Sequence, residues 1–134
     1  MATYTKFQQF VEDLAHGVHD LETDAITVAL SNTAPSASAD AVLGDITTVS
    51  TANLDDVTPT VSSSSQTSGT YKLVLADLTM TASGAVGPFR YVILYNDTAA
   101  NDPLICWYDY GSEVTLAKDD TFKLDFGDQL FSLA

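Results

Sequence analysis

Positive charge is scarce in this sequence. Five Lys and Arg stand against eighteen Asp and Glu, a formal net charge of -13. Such a field repels phosphate backbones and anionic lipid, which sets nucleic acid and membrane surfaces aside as partners. There is a single cysteine, Cys106, so no disulfide can close within the chain, which is compatible with a reducing cytoplasm. Lying between Ile105 and Trp107, this thiol is expected to be buried as a small hydrophobe. No stretch approaches the roughly 20 apolar residues of a membrane helix, and the first residues lack the basic-then-apolar pattern of a secretory leader. A Gly-rich phosphate loop, paired cysteines and a nucleophile elbow are all missing, so the sequence points to no enzyme and no cofactor.

What is present is apolar and rich in strand-forming residues. The 134 residues, 46% of them hydrophobic, suit one domain that buries roughly two-thirds of its unfolded surface. Three apolar runs dominate: Tyr71 to Met80, Phe89 to Tyr95, and Leu104 to Tyr110. Each is bounded by Gly, Pro, Asn or Asp, and the β-branched and aromatic content predicts strands. In the second run Phe89, Tyr91, Ile93 and Tyr95 share one parity and Val92 and Leu94 the other. Both faces are therefore apolar, and the strand is expected to be central. In the first run Tyr71, Leu73 and Leu75 are out of phase with Leu78, Met80 and Ala82, which predicts a β-bulge near Ala76-Asp77. The three runs are expected to lie side by side.

Ahead of this core, Phe7, Phe10, Val11, Leu14, Ala15, Val18 and Leu21 repeat at helical spacing and predict an amphipathic helix over 5–21, with Thr5 and Gln8 as a capping box. Residues 24–32 read as a strand. From Thr33 to Thr70 the composition turns to Ser, Thr, Ala and Asp, which predicts an extended arm or loop, most mobile at Ser62 to Gly69. Ser83 to Pro88 reads as a flexible connection. Glu113 to Leu116 and Thr121 to Phe126 read as strands about a turn, with Phe122, Leu124 and Phe126 inward, and Leu130 to Leu133 as a short final strand. The fold class is mainly β: an antiparallel, jelly-roll-like β-sandwich with one N-terminal amphipathic helix, the β core spanning 71–134.

Candidate chemistry is sparse. His16 and His19, with Asp13, Asp20 and Glu22 nearby, offer metal-ligand atoms, but no third ligand is fixed by a recognisable spacing, and histidines at the negative end of a helix dipole need no metal. The Asp-rich loop from Asn96 to Asp102 does not follow the alternating pattern of a calcium loop. Trp107, Tyr108 and Tyr110 beside Asp109 would make a sugar platform if they face solvent; packed inward, they are simply core.

Several segments carry a resemblance. Thr5 to Ala15, Thr67 to Asp77, Gly87 to Asp97 and the Trp107-Tyr108-Asp109-Tyr110-Gly111 motif resemble a family of small virion structural proteins of tailed bacteriophages. The likeness covers nearly the whole chain outside Thr33 to Thr60. It implies a virion structural role and carries no catalytic residue. Within it, a capsid decoration or cement protein is expected, on the outside of the head, with the major capsid protein and other copies of itself, as a trimer, for partners. A tail or baseplate component and a glycan-binding adhesion module are the alternatives. Candidate interface residues are Phe7, Phe10, Val11 and Leu14 on the helix and Trp107, Tyr108 and Tyr110 in the third run.

Overall fold

A computed structural model describes residues 2–134. The chain is mainly β, with antiparallel sheets in a sandwich-like arrangement and one helix. Its elements are β1 (Thr3–Lys6), α1 (Gln8–Ala15), β2 (Ile26–Ser31), a 3-10 turn at Leu43–Asp45, β3 (Val61–Thr67), β4 (Thr70–Leu75), β5 (Leu78–Thr81), β6 (Val86–Asn96), β7 (Leu104–Leu116), β8 (Thr121–Leu124) and β9 (Phe131–Leu133). They form a four-stranded sheet in the order β1-β7-β6-β2, a three-stranded sheet β3-β4-β9 and a pair β5-β8.

The Phe89 to Tyr95 run lies where its two apolar faces require, in β6 between β7 and β2. Val92, Ile93 and Leu94 are all buried, and β2 opposite them is buried along its whole length. Phe89 departs from its expected face. Phe89 pairs with Val114 and Tyr91 with Asp109, so β7 spends five residue steps where β6 spends two. That slip turns the Phe89 ring toward Phe122 of β8, 5.3 Å away and nearly perpendicular. A bulge re-aims a side chain in this way.

Four sequence expectations are corrected in the core. The phase break at Ala76-Asp77 is not a bulge in one strand: the chain leaves the β3-β4-β9 sheet there and enters the β5-β8 pair. Consequently the first run does not pair with the second; only β6 and β7 are hydrogen-bonded neighbours. Ser83 to Pro88 is not all flexible connection, since β6 begins at Val86. Gly87 has φ +103, and a Cβ there would come within 2.6 Å of the Val114 carbonyl oxygen, so only glycine lets the two backbones approach this closely. Glu113 to Leu116 is the far end of β7, paired with β6, and Thr121 to Leu124 pairs with β5 instead.

The N-terminal helix is shorter than its apolar spacing implied. Thr3–Lys6 is a strand on β7, and the helix covers only Gln8–Ala15. Phe7, in extended backbone, occupies the N-cap and no side chain caps it, so the Thr5–Gln8 capping box does not form. Edge pairing with β7 takes the residues that local spacing would have given to a helix.

The Ser/Thr-rich region divides in two. Ser62 to Gly69, expected to be the most mobile part, is instead hairpin: residues 61–67 form β3 and fold back onto β4. The remainder is irregular but bonded to the body throughout: Gln8 N–H to Ala37 C=O at 2.9 Å, Leu104 N–H to Ala41 C=O at 3.0 Å, Val49 N–H to Leu30 C=O at 2.7 Å and Val28 N–H to Val57 C=O at 2.7 Å. It is a loop laid along the sheet, not a projecting arm.

Candidate functional site

Small polar side chains occupy the places where chemistry was sought, and several of them are used locally. Asp45 accepts from the Ala41 and Val42 N–H groups, which hold its carboxyl below the usual range. Asp120 closes its turn on Ala117 N–H. In the Asn96 to Asp102 loop, Asn96 Oδ1 accepts from the N–H groups of Thr98 and Ala99 at 2.9 and 3.0 Å. Turn carboxylates and amides bond their own backbone because the loop leaves its N–H groups without a ladder partner. Among the described residues no group of three His, Cys, Asp or Glu is placed to hold a metal ion.

The two histidines part company. His16 is exposed at the helix C-cap, whereas His19 lies beyond the helix, 7% exposed, tilted against Phe10 at 5.1 Å. The Asn96 side-chain NH2 donates to Asp24 Oδ2 at 2.7 Å and to His19 Nδ1 at 3.0 Å. Because Asn96 Oδ1 is already bound to two backbone donors, Nδ1 must accept, so the ring is neutral with its proton on Nε2. Burial lowers the His19 pKa, against the raising influence of Asp13 and Asp24.

The expected interface residues fall into two groups. Phe7 and Phe10 are buried within the chain's own core, Phe7 against Trp107 at 4.6 Å and Phe10 against Phe131 at 5.3 Å. They have no surface to offer, and Trp107, 8% exposed, has little. Leu14 is partly buried against the core, whereas Val11 is 52% exposed. Tyr108 and Tyr110 belong to a different place, the opposite face of β7 from Trp107.

There the structure opens a groove of about 800 Å³. Tyr4 and Lys6 of β1 and Tyr108 and Tyr110 of β7 form one wall, Phe122 and Lys123 of β8 and Phe126 form another, and Phe131 and Ser132 of β9 close an end. Tyr4 packs on Tyr108 at 5.5 Å within the first wall, and rings meet between the two walls, Tyr108 on Phe126 at 6.2 Å and Tyr110 on Phe122 at 5.4 Å. Tyr4 and Tyr110 keep 37% and 45% of their surface exposed. Burial raises the pKa of the Tyr4 and Tyr108 hydroxyls, so both are neutral donors. Cys106, fully buried on the same face of β7, has its thiol pushed up by burial and is chemically quiet. Asp109 is held below the usual carboxylate range, chiefly by its two hydrogen bonds from Arg90 at 2.8 and 3.1 Å.

Sequence reasoning found Tyr108 and Tyr110 but missed Tyr4, Lys6, Phe122 and Lys123. Tyr4 and Lys6 alternate across Thr5, which is a strand signal, yet the overlapping helical spacing from Phe7 onward masked it. A second surface is the outer face of the β3–β4 hairpin, where Ser63, Ser65, Thr67, Thr70 and Lys72 form a hydroxyl-rich concavity. No protein-family model matches this chain, and no curated protein or solved structure matches it either.

Proposed function

We propose that this protein is a structural component of a tailed-bacteriophage virion, most specifically a decoration protein on the outside of the head that braces neighbouring major capsid subunits. The observation that carries this reading is the resemblance of Thr67 to Asp77, Gly87 to Asp97 and Trp107 to Gly111 to that family. Those segments supply the β4 hairpin strand and the paired β6 and β7. The local use of carboxylates such as Asp45 and Asp120 in turns suits a protein that acts through its surfaces. A rigid body with modest contacts, repeated over a lattice, gains firm attachment through multivalency, and local three-fold positions would accommodate a trimer. A protein with net charge -13 meets such a lattice and not the packaged DNA. The test is to mix the labelled protein with isolated heads and with isolated tails. Retention on heads, with greater resistance of those heads to heat, is expected; retention on tails alone would replace this reading with a tail or baseplate role.

A second reading has its own observation. Tyr4, Tyr108 and Tyr110 share the groove with Asp125 and Gln129, and ring faces beside a carboxylate and an amide are the groups a saccharide meets. A glycan array returning a saturable ligand that quenches tyrosine fluorescence would favour an adhesion module.

A further inference from the structure

The groove lies where three sheets each leave an edge strand unpaired. β1 ends the four-stranded sheet, β9 ends the three-stranded sheet and β8 has only β5 beside it. Of these, β1 can be read atom by atom. Phe7 N–H donates to Ile105 C=O at 3.2 Å, continuing the register in which Thr5 faces Trp107 and Thr3 faces Asp109. In an antiparallel pair, bonded and non-bonded positions alternate. Thr3 and Thr5 therefore turn their backbone groups toward β7, while Tyr4 and Lys6 turn theirs outward, where no described residue bonds them. The two residues with free backbone groups are the same two that send side chains into the groove.

Exposed strand edges are templates for added strands, and folded proteins usually cover or disrupt them. Here the edge adjoins an apolar concavity, and among the described residues two of the five exposed large hydrophobic side chains, Tyr4 and Tyr110, line it. The charge is also local. In a chain of net charge -13 with five cationic residues, the groove holds two lysines, Lys6 and Lys123, against one carboxylate, Asp125. Lys123 has only a long contact of 3.7 Å to Asp77, and Lys6 pairs with no described acid.

We propose that β1 and the adjoining groove accept an extended acidic peptide segment of another protein, which adds as a strand beside β1. Its backbone bonds Tyr4 and Lys6, its apolar side chains enter the groove at alternate positions, and its carboxylates meet Lys6 and Lys123. Main-chain bonds give such a site affinity, and the pockets for alternate side chains give selectivity. The site stands whether the partner is in a head, in a tail or elsewhere, so it survives or fails independently of the virion reading.

The test pans a displayed library of random linear peptides on the intact protein, then titrates the enriched peptides while amide resonances are followed. The expected peptides alternate apolar residues, carry Asp or Glu, and perturb β1 amides. N-methylating the peptide at alternate residues should abolish binding in one phase and leave it in the other, because only one phase of N–H groups faces β1. The double variant Lys6→Glu, Lys123→Glu changes exposed residues only, and should weaken binding about tenfold or more. Failure to enrich any peptide, indifference to N-methylation, or perturbations away from β1 would overturn the proposal. So would a saccharide that alone occupies the groove, or protection of β1 by self-association at rising concentration, which would make a second copy the occupant.

Discussion

Along β2 the outer edge of the four-stranded sheet is closed by the chain itself. Val49 donates to Leu30, Val28 donates to Val57, and the Ser31 hydroxyl donates to Thr47 C=O at 2.6 Å. Along β1, at the other end of the same sheet, no described residue does this for Tyr4 or Lys6. The covered strand is buried at every position, and the open strand is exposed at three of its four. The covering segment belongs to the Ser/Thr-rich stretch whose composition reads as an extended arm or loop. A polar, irregular segment can thus be structural if its backbone completes a ladder, because the saving lies in main-chain groups that would otherwise be buried without partners.

The contrast between the two edges can be sharpened from its larger effects to its smaller ones. Leu30 is 0% exposed on β2, so Leu30→Ala should cost about 2–5 kcal/mol through the cavity it leaves; chemical denaturation showing no loss would mean the covered edge is loosely packed. Ile93→Ala, at an equally buried site in β6, should fall within that same range of about 2–5 kcal/mol. Val49→Pro removes the donor to Leu30 C=O and should cost about 1–3 kcal/mol by leaving that carbonyl unpaired. Comparison with Val49→Ala, which keeps the N–H, isolates the ladder bond in the same denaturation series.

The fourth effect is graded with pH. His19 sits where Asn96, the partner of Ile26 at the start of β2, anchors the following loop. Its folded pKa is lowered, so the unfolded chain binds the proton more readily. That contribution to stability is complete above the ordinary histidine value, near 6.5, and drains away as pH falls below it. Unfolding midpoints at about pH 7.5 and about pH 5.5 should show this loss, and His19→Gln should remove it; an unchanged slope in the variant would assign the loss to other groups. The smallest effect belongs to the open edge: Tyr110→Ala, at a 45% exposed position, should cost under about 1 kcal/mol in thermal melts. A larger loss would show that the groove wall supports the fold.

The central strand was legible because burial on both faces writes a continuous apolar run, as Phe89 to Tyr95 does whatever its neighbours are. Burial of Cys106 and inward placement of Phe122, Leu124 and Phe126 were legible for a related reason, since alternation reports the face of a single strand. Tyr4 and Lys6 were not legible as an edge. Their spacing overlaps a helical stripe, and whether Thr3–Lys6 becomes strand or helix depends on partners in β7 about a hundred residues away.

By itself, then, the sequence determined local matters: a mainly β chain, the presence of one N-terminal amphipathic helix though not its length, turns fixed by Asp and Asn, and many of the side chains that leave water. Tertiary structure alone decided which strands are neighbours, that the chain changes sheets across Ala76-Asp77, that residues 47–57 close one edge, and that Tyr4, Lys6, Tyr108, Tyr110, Phe122 and Lys123 share a groove. The reason is physical. Periodicity records whether a position is buried, and pairing and groove formation depend on contacts between residues far apart in the chain, which no local spacing encodes.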